Sequence, residues 1–272
     1  MEFSVLISVY MKESPIFLGE ALDSILVNQS LKPTEVVLVK DGPLTAELDA
    51  VIQNFVEKFP EKIKLVTLND NQGLGKALSI GLDKCKYDLV ARMDSDDIAD
   101  KNRFKTQIEF FNKNIDLDVL GGNIAEFQES PSEQLILRKV PPDSYGIIEM
   151  MKSRNPMNHV TIMFKKEAVI KAGGYKHLPY LEDYFLWIRM VEAGAKLANI
   201  DKTLVYVRTG ENMYKRRGHK GYIPGWYILQ KKMREMGIIT PVEIIKNMIS
   251  IICFIYMPVR LKEFVYKKFL RN

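Results

Sequence analysis

The stretch Leu89-Val-Ala-Arg-Met-Asp-Ser-Asp-Asp97 reads as a short buried strand that ends in three acidic residues. Carboxylates grouped at the end of a buried strand repel one another unless a positive charge neutralises them. A divalent cation that bridges to a diphosphate would do so, and hard oxygen ligands suit magnesium or manganese. The alternative is a solvated turn in which Asp97 caps the next helix.

The residues before this stretch alternate between short β-branched runs and longer helical patterns. This alternation is typical of βαβ units around a mostly parallel sheet. The predicted strands cover residues 3–9, 35–39, 63–68 and 89–93, and the predicted helices cover 17–26, 47–59 and 76–85. Ligands bind outside the carboxyl ends of the strands in open α/β sheets. We therefore expect Asp41, after the second strand, to lie near Asp94 and Asp96.

The chain of 272 residues is long enough for one large α/β domain with an appended segment. Later predicted elements are a helix over 100–112, a strand over 119–127, a polar connection over 130–142, a strand over 160–164 and helices over 166–172 and 182–193. We divide the chain into an α/β domain over 1–215, with parts 1–100 and 101–215, and a C-terminal helical segment over 216–272.

Charge and cysteine content restrict the compartment. The net charge of +5 is mild, and the positive residues gather toward the C-terminus. Cys85 and Cys253 lie far apart and match no metal or redox spacing, which favours a reducing compartment. The N-terminus has no basic n-region and its apolar run is too short for a signal peptide, so we expect a cytoplasmic protein.

Five motifs occur in one order along the chain. They are Ser4-Val-Leu-Ile-Ser-Val-Tyr10, Val36-Val-Leu-Val-Lys-Asp-Gly42, Asn71-Gln-Gly-Leu-Gly-Lys-Ala77, Ala91-Arg-Met-Asp-Ser-Asp-Asp-Ile98 and Leu181-Glu-Asp-Tyr-Phe-Leu-Trp187. In these motifs the chain resembles the family 2 glycosyltransferases. The resemblance implies the A-type nucleotide-sugar-binding fold, a Rossmann-like mixed sheet flanked by helices, and a UDP-sugar donor. It also implies that 1–215 is the catalytic domain, with a nucleotide-binding half, 1–100, and an acceptor half, 101–215.

The resemblance also implies donor contacts. The turn with Val9 and Tyr10, with Glu13 nearby, and Asp41 would hold the base and ribose, and Asp41 would accept from the ring N–H of uracil. Asp41-Gly42 could equally be only a turn, and Lys40 stands where the wider family commonly has an acidic residue. The other candidates for the donor are Asn71, Gly73, Lys76, Arg92, Asp94 and Arg208, with Arg216 and Arg217 either closing over the diphosphate or forming a solvated face.

Two acidic pairs carry the chemistry that the resemblance implies. Asp94 and Asp96 match the pair that binds metal and donor, with magnesium or manganese as the ion. Glu182 and Asp183 match the catalytic pair, and Asp183 at a helix N-terminus fits the base of an inverting transfer. The alternative is that both acids only complement the helix dipole.

Two histidines are further candidates. Relatives place a histidine ligand of the metal soon after the last core strand, where this chain has Thr209, so either His219 replaces it or no histidine binds the metal. Asn155-Pro-Met-Asn-His159 resembles a segment of polysaccharide-assembly members of the family. His159 could contact the acceptor or phosphate, or be a structural hydrogen-bonding residue.

The C-terminal segment is apolar and basic. Residues 248–257 form an apolar run that Pro258 ends, well short of the roughly 20 residues that span a bilayer. The apolar residues interspersed with lysine and arginine are Ile244, Ile245, Phe254, Phe264, Tyr266 and Phe269. This pattern favours interfacial helices on an anionic inner leaflet. The alternative is a helical hairpin packed on the core or on another subunit of a homo-oligomer.

These inferences lead to one functional prediction. We expect an inverting transferase that moves a hexose or N-acetylhexosamine from a UDP-sugar to a polyprenyl-diphosphate-linked saccharide, in assembly of a bacterial O-antigen, capsule or exopolysaccharide. No nucleic acid partner is expected. One rival is a nucleotidyltransferase, but residues 8–15 lack the Gly-rich triphosphate loop that it would need. The other rival is a non-catalytic module that binds a nucleotide sugar.

Overall fold

A computed structural model describes residues 1–128, 130–131, 135–209, 219–258, 261–262 and 265. The strands in these residues are β1 (Ser4–Val9), β2 (Glu35–Lys40), β3 (Ile63–Thr67), β4 (Leu89–Asp94), β5 (Ile98–Ala99), β6 (Val119–Phe127), β7 (Ile136–Arg138), β8 (Met163–Lys165) and β9 (Leu197–Arg208). The helices in these residues are α1 (Pro15–Leu26), α2 (Ala46–Lys58), α3 (Leu74–Lys84), α4 (Arg103–Lys113), α5 (Ser144–Met151), α6 (Lys166–Lys171), α7 (Glu182–Glu192), α8 (Tyr222–Glu235) and α9 (Pro241–Tyr256).

The strands form one mixed sheet in the order β3-β2-β1-β4-β8-β6-β9-β5, and β7 pairs with β6. The four strands from β1 to β4 are parallel to one another. The next strand, β8, is antiparallel to both β4 and β6, while β6 and β9 are parallel. A parallel part, from β1 to β4, and a mixed part therefore share one sheet, which confirms the predicted fold class.

Helices cover both faces of the sheet. The strands β1, β2 and β4 are almost continuously buried, as expected for parallel strands covered on both sides. The core on one face includes Leu18 of α1 and Phe104 of α4. The core on the other face includes Trp187 of α7 and Leu229 and Met233 of α8. The division at residues 215 and 216 stays a prediction, but α8 buries its apolar side in the same core as α7.

The sequence predicted most elements, with some differences. The strand predicted over 160–164 is instead a 3₁₀ turn, His159–Thr161, followed by β8, because the Thr161 hydroxyl donates to the Asn158 carbonyl at 2.7 Å and closes the turn. The predicted polar connection over 130–142 contains β7. Neither α5 nor β5 was predicted, and β9 was anticipated only at its end.

The carboxyl ends of β1, β2 and β4 lie at one edge of the sheet. Ser8 pairs with Asp94 across β1 and β4, and Val9 pairs with Lys40 across β1 and β2. The backbone N–H of Asp41 continues this pairing, since it donates to the Val9 carbonyl at 2.8 Å. The polar residues that follow the three strands therefore meet at one edge, as expected.

Gly42 is the position at this edge where a side chain would be most disruptive. Its φ is +87°, and an added Cβ would lie 2.6 Å from the backbone nitrogen of Asn71. We expect Gly42→Ala to destabilise the protein by about 2 kcal/mol, because backbone strain and a contact with rigid main chain add together. Differential scanning calorimetry would measure this as a loss of several degrees in Tm.

Gly19→Ala is the matched control, since a Cβ at Gly19 in α1 would meet nothing within 4 Å. Alanine has the higher helix propensity, so this variant should be neutral or slightly stabilised. Equal Tm values for the two variants would contradict the role assigned to Gly42.

Candidate active site

Three carboxylates lie together after β4. One oxygen from each of Asp94, Asp96 and Asp97 falls within 4.8 Å of the others. Burial, and then the charges of Asp96 and Asp94, raise the pKa of Asp97 well above its usual value. The Asp97 carboxylate accepts from the backbone N–H of Arg208 at 2.8 Å and so ties the end of β4 to β9. The alternative that Asp97 caps the next helix is wrong, because the N-cap of α4 is Asn102.

The chemistry of this cluster fits a divalent cation. Its ligand atoms are hard oxygens, and a cation would relieve the repulsion that raises the pKa of Asp97. Among the described residues the cluster contains no histidine. His219 instead accepts from the Gly221 N–H at 3.1 Å and lies 6.1 Å from the Tyr180 ring, measured between ring centroids. Arg216 and Arg217 lie outside the described residues.

Arg92 is buried beside the cluster. Its side chain is 2% exposed, and both of its Nη atoms donate to the Asp94 carboxylate. The carbonyl of Arg92 accepts from Arg103 Nη2 at 2.6 Å, which holds β4 against α4. In this geometry Arg92 holds the Asp94 carboxylate in place. Direct contact between Arg92 and the donor stays a prediction.

The residues predicted to bind the base and ribose form two loops at the same edge. Asp41 is 4% exposed, and its two carboxylate oxygens accept from the N–H groups of Gln72 at 2.7 Å and Gly73 at 3.0 Å. Each oxygen has a second lone pair, so these bonds leave room for a base N–H. Asn71 and Lys76 are exposed on either side of the start of α3. In the other loop, Glu13 N–H donates to the Tyr10 carbonyl at 3.1 Å, next to Val9.

Arg208 lies next to the aspartates. Its guanidinium is 3.9 Å from the centroid of the Phe17 ring and 4.7 Å from that of Phe127, and it pairs with Glu20 at 2.5 Å. Its Nε donates to the Asp96 carbonyl at 3.3 Å. These contacts place Arg208 beside the aspartate cluster. Its contact with the diphosphate stays a prediction.

The predicted catalytic pair begins α7. The Asp183 carboxylate accepts from Asn155 Nδ2 at 2.6 Å. Burial raises the pKa of Asp183, and hydrogen bonds from the Tyr184 backbone and Asn155 oppose the shift. Burial also raises the pKa of Glu182, whose Cγ would lie 3.0 Å from a Cβ added at Gly75.

The loop before this pair is held by α8. Tyr180 has a φ of +69°, which is uncommon for a residue with a side chain, and its ring stacks on Tyr222 of α8 at 4.7 Å. Trp226, one turn further along α8, packs edge-on against Tyr184 at 5.7 Å. The helix α8 therefore packs against the residues on either side of Glu182 and Asp183.

His159 is a hydrogen-bonded side chain. Its Nε2 lies 2.9 Å from the Tyr175 hydroxyl, and its ring lies 6.0 Å from the Trp187 ring. Burial, and then the charge of Arg92, lower the pKa of His159 well below its usual value. These contacts support the alternative that His159 is a structural hydrogen-bonding residue. His159 also lines a cavity.

One cavity of about 770 Å³ extends from the aspartate cluster to Asp183. Asp94 and Asp97 line it from β4 and the turn after it, and Asp183 lines it from α7. Its outer wall comes from the C-terminal helices and includes Trp226 and Phe254. This arrangement brings a candidate site for a metal and diphosphate within the same space as a candidate base.

Sequence reasoning missed Arg138 and Arg154, which also line the cavity. Arg138 donates to the Asn158 side chain at 2.5 Å and to the Asn155 carbonyl at 2.7 Å, and so supports the residue that holds Asp183. The run Ile136-Leu137-Arg138 was a signal for a short strand inside the polar connection. Nothing in the local sequence marked Arg154.

A mixed sheet with helices on both faces and an aspartate cluster at the ends of its parallel strands defines an A-type nucleotide-sugar transferase fold. The model of the family Glycosyl transferase family 2 matches residues 4–175. The chain belongs to this family and is a glycosyltransferase.

Relatives of known name span almost the whole chain. The chain is 38% identical to a UDP-Gal:alpha-D-GlcNAc-diphosphoundecaprenol beta-1,3-galactosyltransferase of Escherichia coli, over 100% of this chain and 97% of that protein. It is also 38% identical to the amylovoran biosynthesis glycosyltransferase AmsE of Erwinia amylovora, over 98% of each chain. Among solved structures, S. aureus TarS 1-349 in complex with UDP-GlcNAc superposes with a TM-score of 0.70 at 18% identity, over 99% of this chain and 77% of that one.

We expect Mn²⁺ or Mg²⁺ to stabilise the folded protein, because a cation at the cluster offsets the repulsion among its three carboxylates. Saturation at about 100 times Kd would add roughly 2.7 kcal/mol, and Tm measured by calorimetry would rise by several degrees. Asp96→Asn should abolish the rise. The exposed Asp116→Asn, whose partner is Lys196, is the matched control and should retain it. An equal rise in both variants would place the cation elsewhere.

Proposed function

We propose that this glycosyltransferase is inverting and metal-dependent, and that it transfers a hexose or N-acetylhexosamine from a UDP-sugar to a polyprenyl-diphosphate-linked saccharide in bacterial surface polysaccharide assembly. The observation that carries the proposal is the single cavity that Asp94, Asp97 and Asp183 line together. The names of the two relatives support a UDP-sugar donor, a lipid-linked acceptor and an exopolysaccharide product.

Asp183 is the proposed base. An inverting transfer needs a group on the far side of the anomeric carbon from the leaving diphosphate, to take the proton of the attacking hydroxyl. Asn155 orients the Asp183 carboxylate through its hydrogen bond at 2.6 Å. Burial raises the pKa of Asp183, which makes its carboxylate a stronger base.

The aspartates would hold the metal on the leaving-group side. Asp94 and Asp96 would ligate it, and when bound the ion neutralises charge on the departing diphosphate. Arg92 sets the orientation of Asp94 through its two Nη atoms, and Arg208 lies beside Asp96. Asp41, with Val9, Tyr10 and Glu13 nearby, would receive the nucleoside at the same edge of the sheet.

The outer face of α9 supports peripheral association with the inner leaflet. Its apolar residues form a stripe at helical spacing, between 39% and 73% exposed: Val242, Ile245, Ile249, Ile252 and Tyr256. Such a stripe on an otherwise folded protein suits the boundary between lipid headgroups and acyl chains. No helix in the described part of the chain is long and apolar enough to cross a bilayer. Phe264, Tyr266 and Phe269 lie outside the described residues.

Release of UDP from a panel of UDP-sugars, with manganese or chelator and with a lipid-linked saccharide acceptor, tests the transfer. We expect metal-dependent release, and a decrease in kcat of about 10²- to 10⁴-fold in Asp183→Asn, because that variant lacks the base. In the wild type, kcat should fall as the pH falls through the raised pKa of Asp183.

Glu192→Gln, at the opposite end of α7, removes a similar charge from a surface ion pair with Lys232 and should keep full activity. Full turnover in Asp183→Asn would reassign the base. Donor binding without any transfer would favour the non-catalytic module.

Binding to vesicles that contain anionic lipid tests the stripe. We expect the double variant Ile245→Glu and Ile249→Glu to lower the partition coefficient at least about tenfold, because it places two charges where apolar area is buried. Ile115→Glu, at a residue that is 75% exposed and remote from α9 in sequence, is the control and should partition like the wild type. Unchanged partition with loss of a dimer in the double variant would instead identify the stripe as a subunit interface.

A further inference from the structure

Two cations that line the cavity do not belong to the aspartate cluster. Arg154 follows α5, and Lys246 lies on α9. Burial, and then the neighbouring guanidinium of Arg138, lower the pKa of Arg154. In the described part of the chain no ion pair joins Arg154 to a carboxylate. A half-buried arginine next to a second arginine, without an acidic partner, is electrostatically suited to an anion.

The part of the cavity that Lys246 lines also has an apolar wall. Trp226 of α8 and Ile251 and Phe254 of α9 line it beside Lys246. The wall is firmly attached to the core, because Asn247 of α9 donates to the Lys152 carbonyl at 2.7 Å and to Gln230 Oε1 at 2.8 Å. Positive charge and apolar surface therefore lie side by side in a rigid setting, as an amphiphilic anion requires.

Arg154 lies close in sequence to a residue that contacts the proposed base, Asp183. The next residue, Asn155, holds the Asp183 carboxylate. In an inverting transfer the base and the leaving diphosphate of the donor lie on opposite sides of the anomeric carbon, so a cation beside the base faces the acceptor. The donor diphosphate has its own candidate site at the aspartate cluster.

We propose that Arg154 and Lys246 bind the diphosphate of the lipid-linked acceptor, while Trp226 and Phe254 contact the first carbons of its lipid chain. This inference rests on the proposed function and adds the residues that recognise the acceptor. The bidentate geometry of arginine suits a diphosphate, and the lysine adds a second charge. The apolar wall selects a diphosphate that carries a lipid over one that is free in solution.

Equilibrium binding of decyl diphosphate to the full-length protein, measured by calorimetry in the absence of donor, tests the site. We expect Arg154→Gln and Lys246→Gln each to raise Kd about tenfold, because each removes charge-assisted hydrogen bonds. Lys231→Gln, at an exposed residue of α8 outside the cavity, is the matched control and should bind like the wild type. Inorganic diphosphate should compete much more weakly than decyl diphosphate.

Equal Kd values in the wild type, Arg154→Gln and Lys246→Gln would overturn the inference. Competition by inorganic diphosphate or UDP as strong as that of decyl diphosphate would also overturn it, since the cations would then hold a free phosphate or the donor. Circular dichroism and Tm would show whether the variants fold. Because Lys246 is exposed, we expect Lys246→Gln to fold like the wild type. If Arg154→Gln and Lys246→Gln weaken the binding of decyl diphosphate but the wild type transfers no sugar, the anion site is supported and the proposed reaction is refuted.

Discussion

The ion pair between the buried Arg92 and Asp94 is the interaction on which the site depends. The Arg92 side chain is 2% exposed and that of Asp94 is 35% exposed, so loss of Asp94 would leave a buried guanidinium without its charged partner. Its charge also opposes the effect of burial on the pKa values of Asp97 and Asp183. The backbone N–H of Arg92 donates to the Ile162 carbonyl at 2.8 Å. Arg92 thus acts on the aspartate cluster and Asp183 through its side chain, and its backbone N–H bonds to Ile162 in the segment before β8.

A second series of contacts links Asp41, after β2, to the start of α7. Asp41 accepts from the N–H of Gly73, which is the N-cap of α3. Two residues later, Gly75 lies so close to Glu182 that a Cβ would approach its Cγ to 3.0 Å. Glu182 precedes the proposed base. Gly75 is therefore the point where α3 meets the start of α7.

The sequence predicted what local pattern determines. The parallel strands are apolar runs bounded by turns, so their positions and the edge that collects Asp41 and Asp94 followed from periodicity and topology. The role of Asp97 did not follow, because its partner, the backbone of Arg208, is 111 residues away. Arg138 and Arg154 were missed because their importance comes from tertiary contacts, which neither the short run of β7 nor the loop after α5 reveals.

The two sides of α9 suggest how a lipid-linked acceptor reaches the base. Lys246 and Phe254 line the cavity, while Ile245 and Ile249 belong to the exposed stripe, so one 16-residue helix serves both surfaces. If the stripe lies at the headgroup boundary, the cavity opens at the depth where a polyprenyl diphosphate carries its charge. The lipid chain would then stay in the bilayer while the saccharide extends toward Asp183. The membrane stripe would therefore lower the KM for long-chain acceptors in vesicles and leave the KM for short-chain acceptors in solution unchanged.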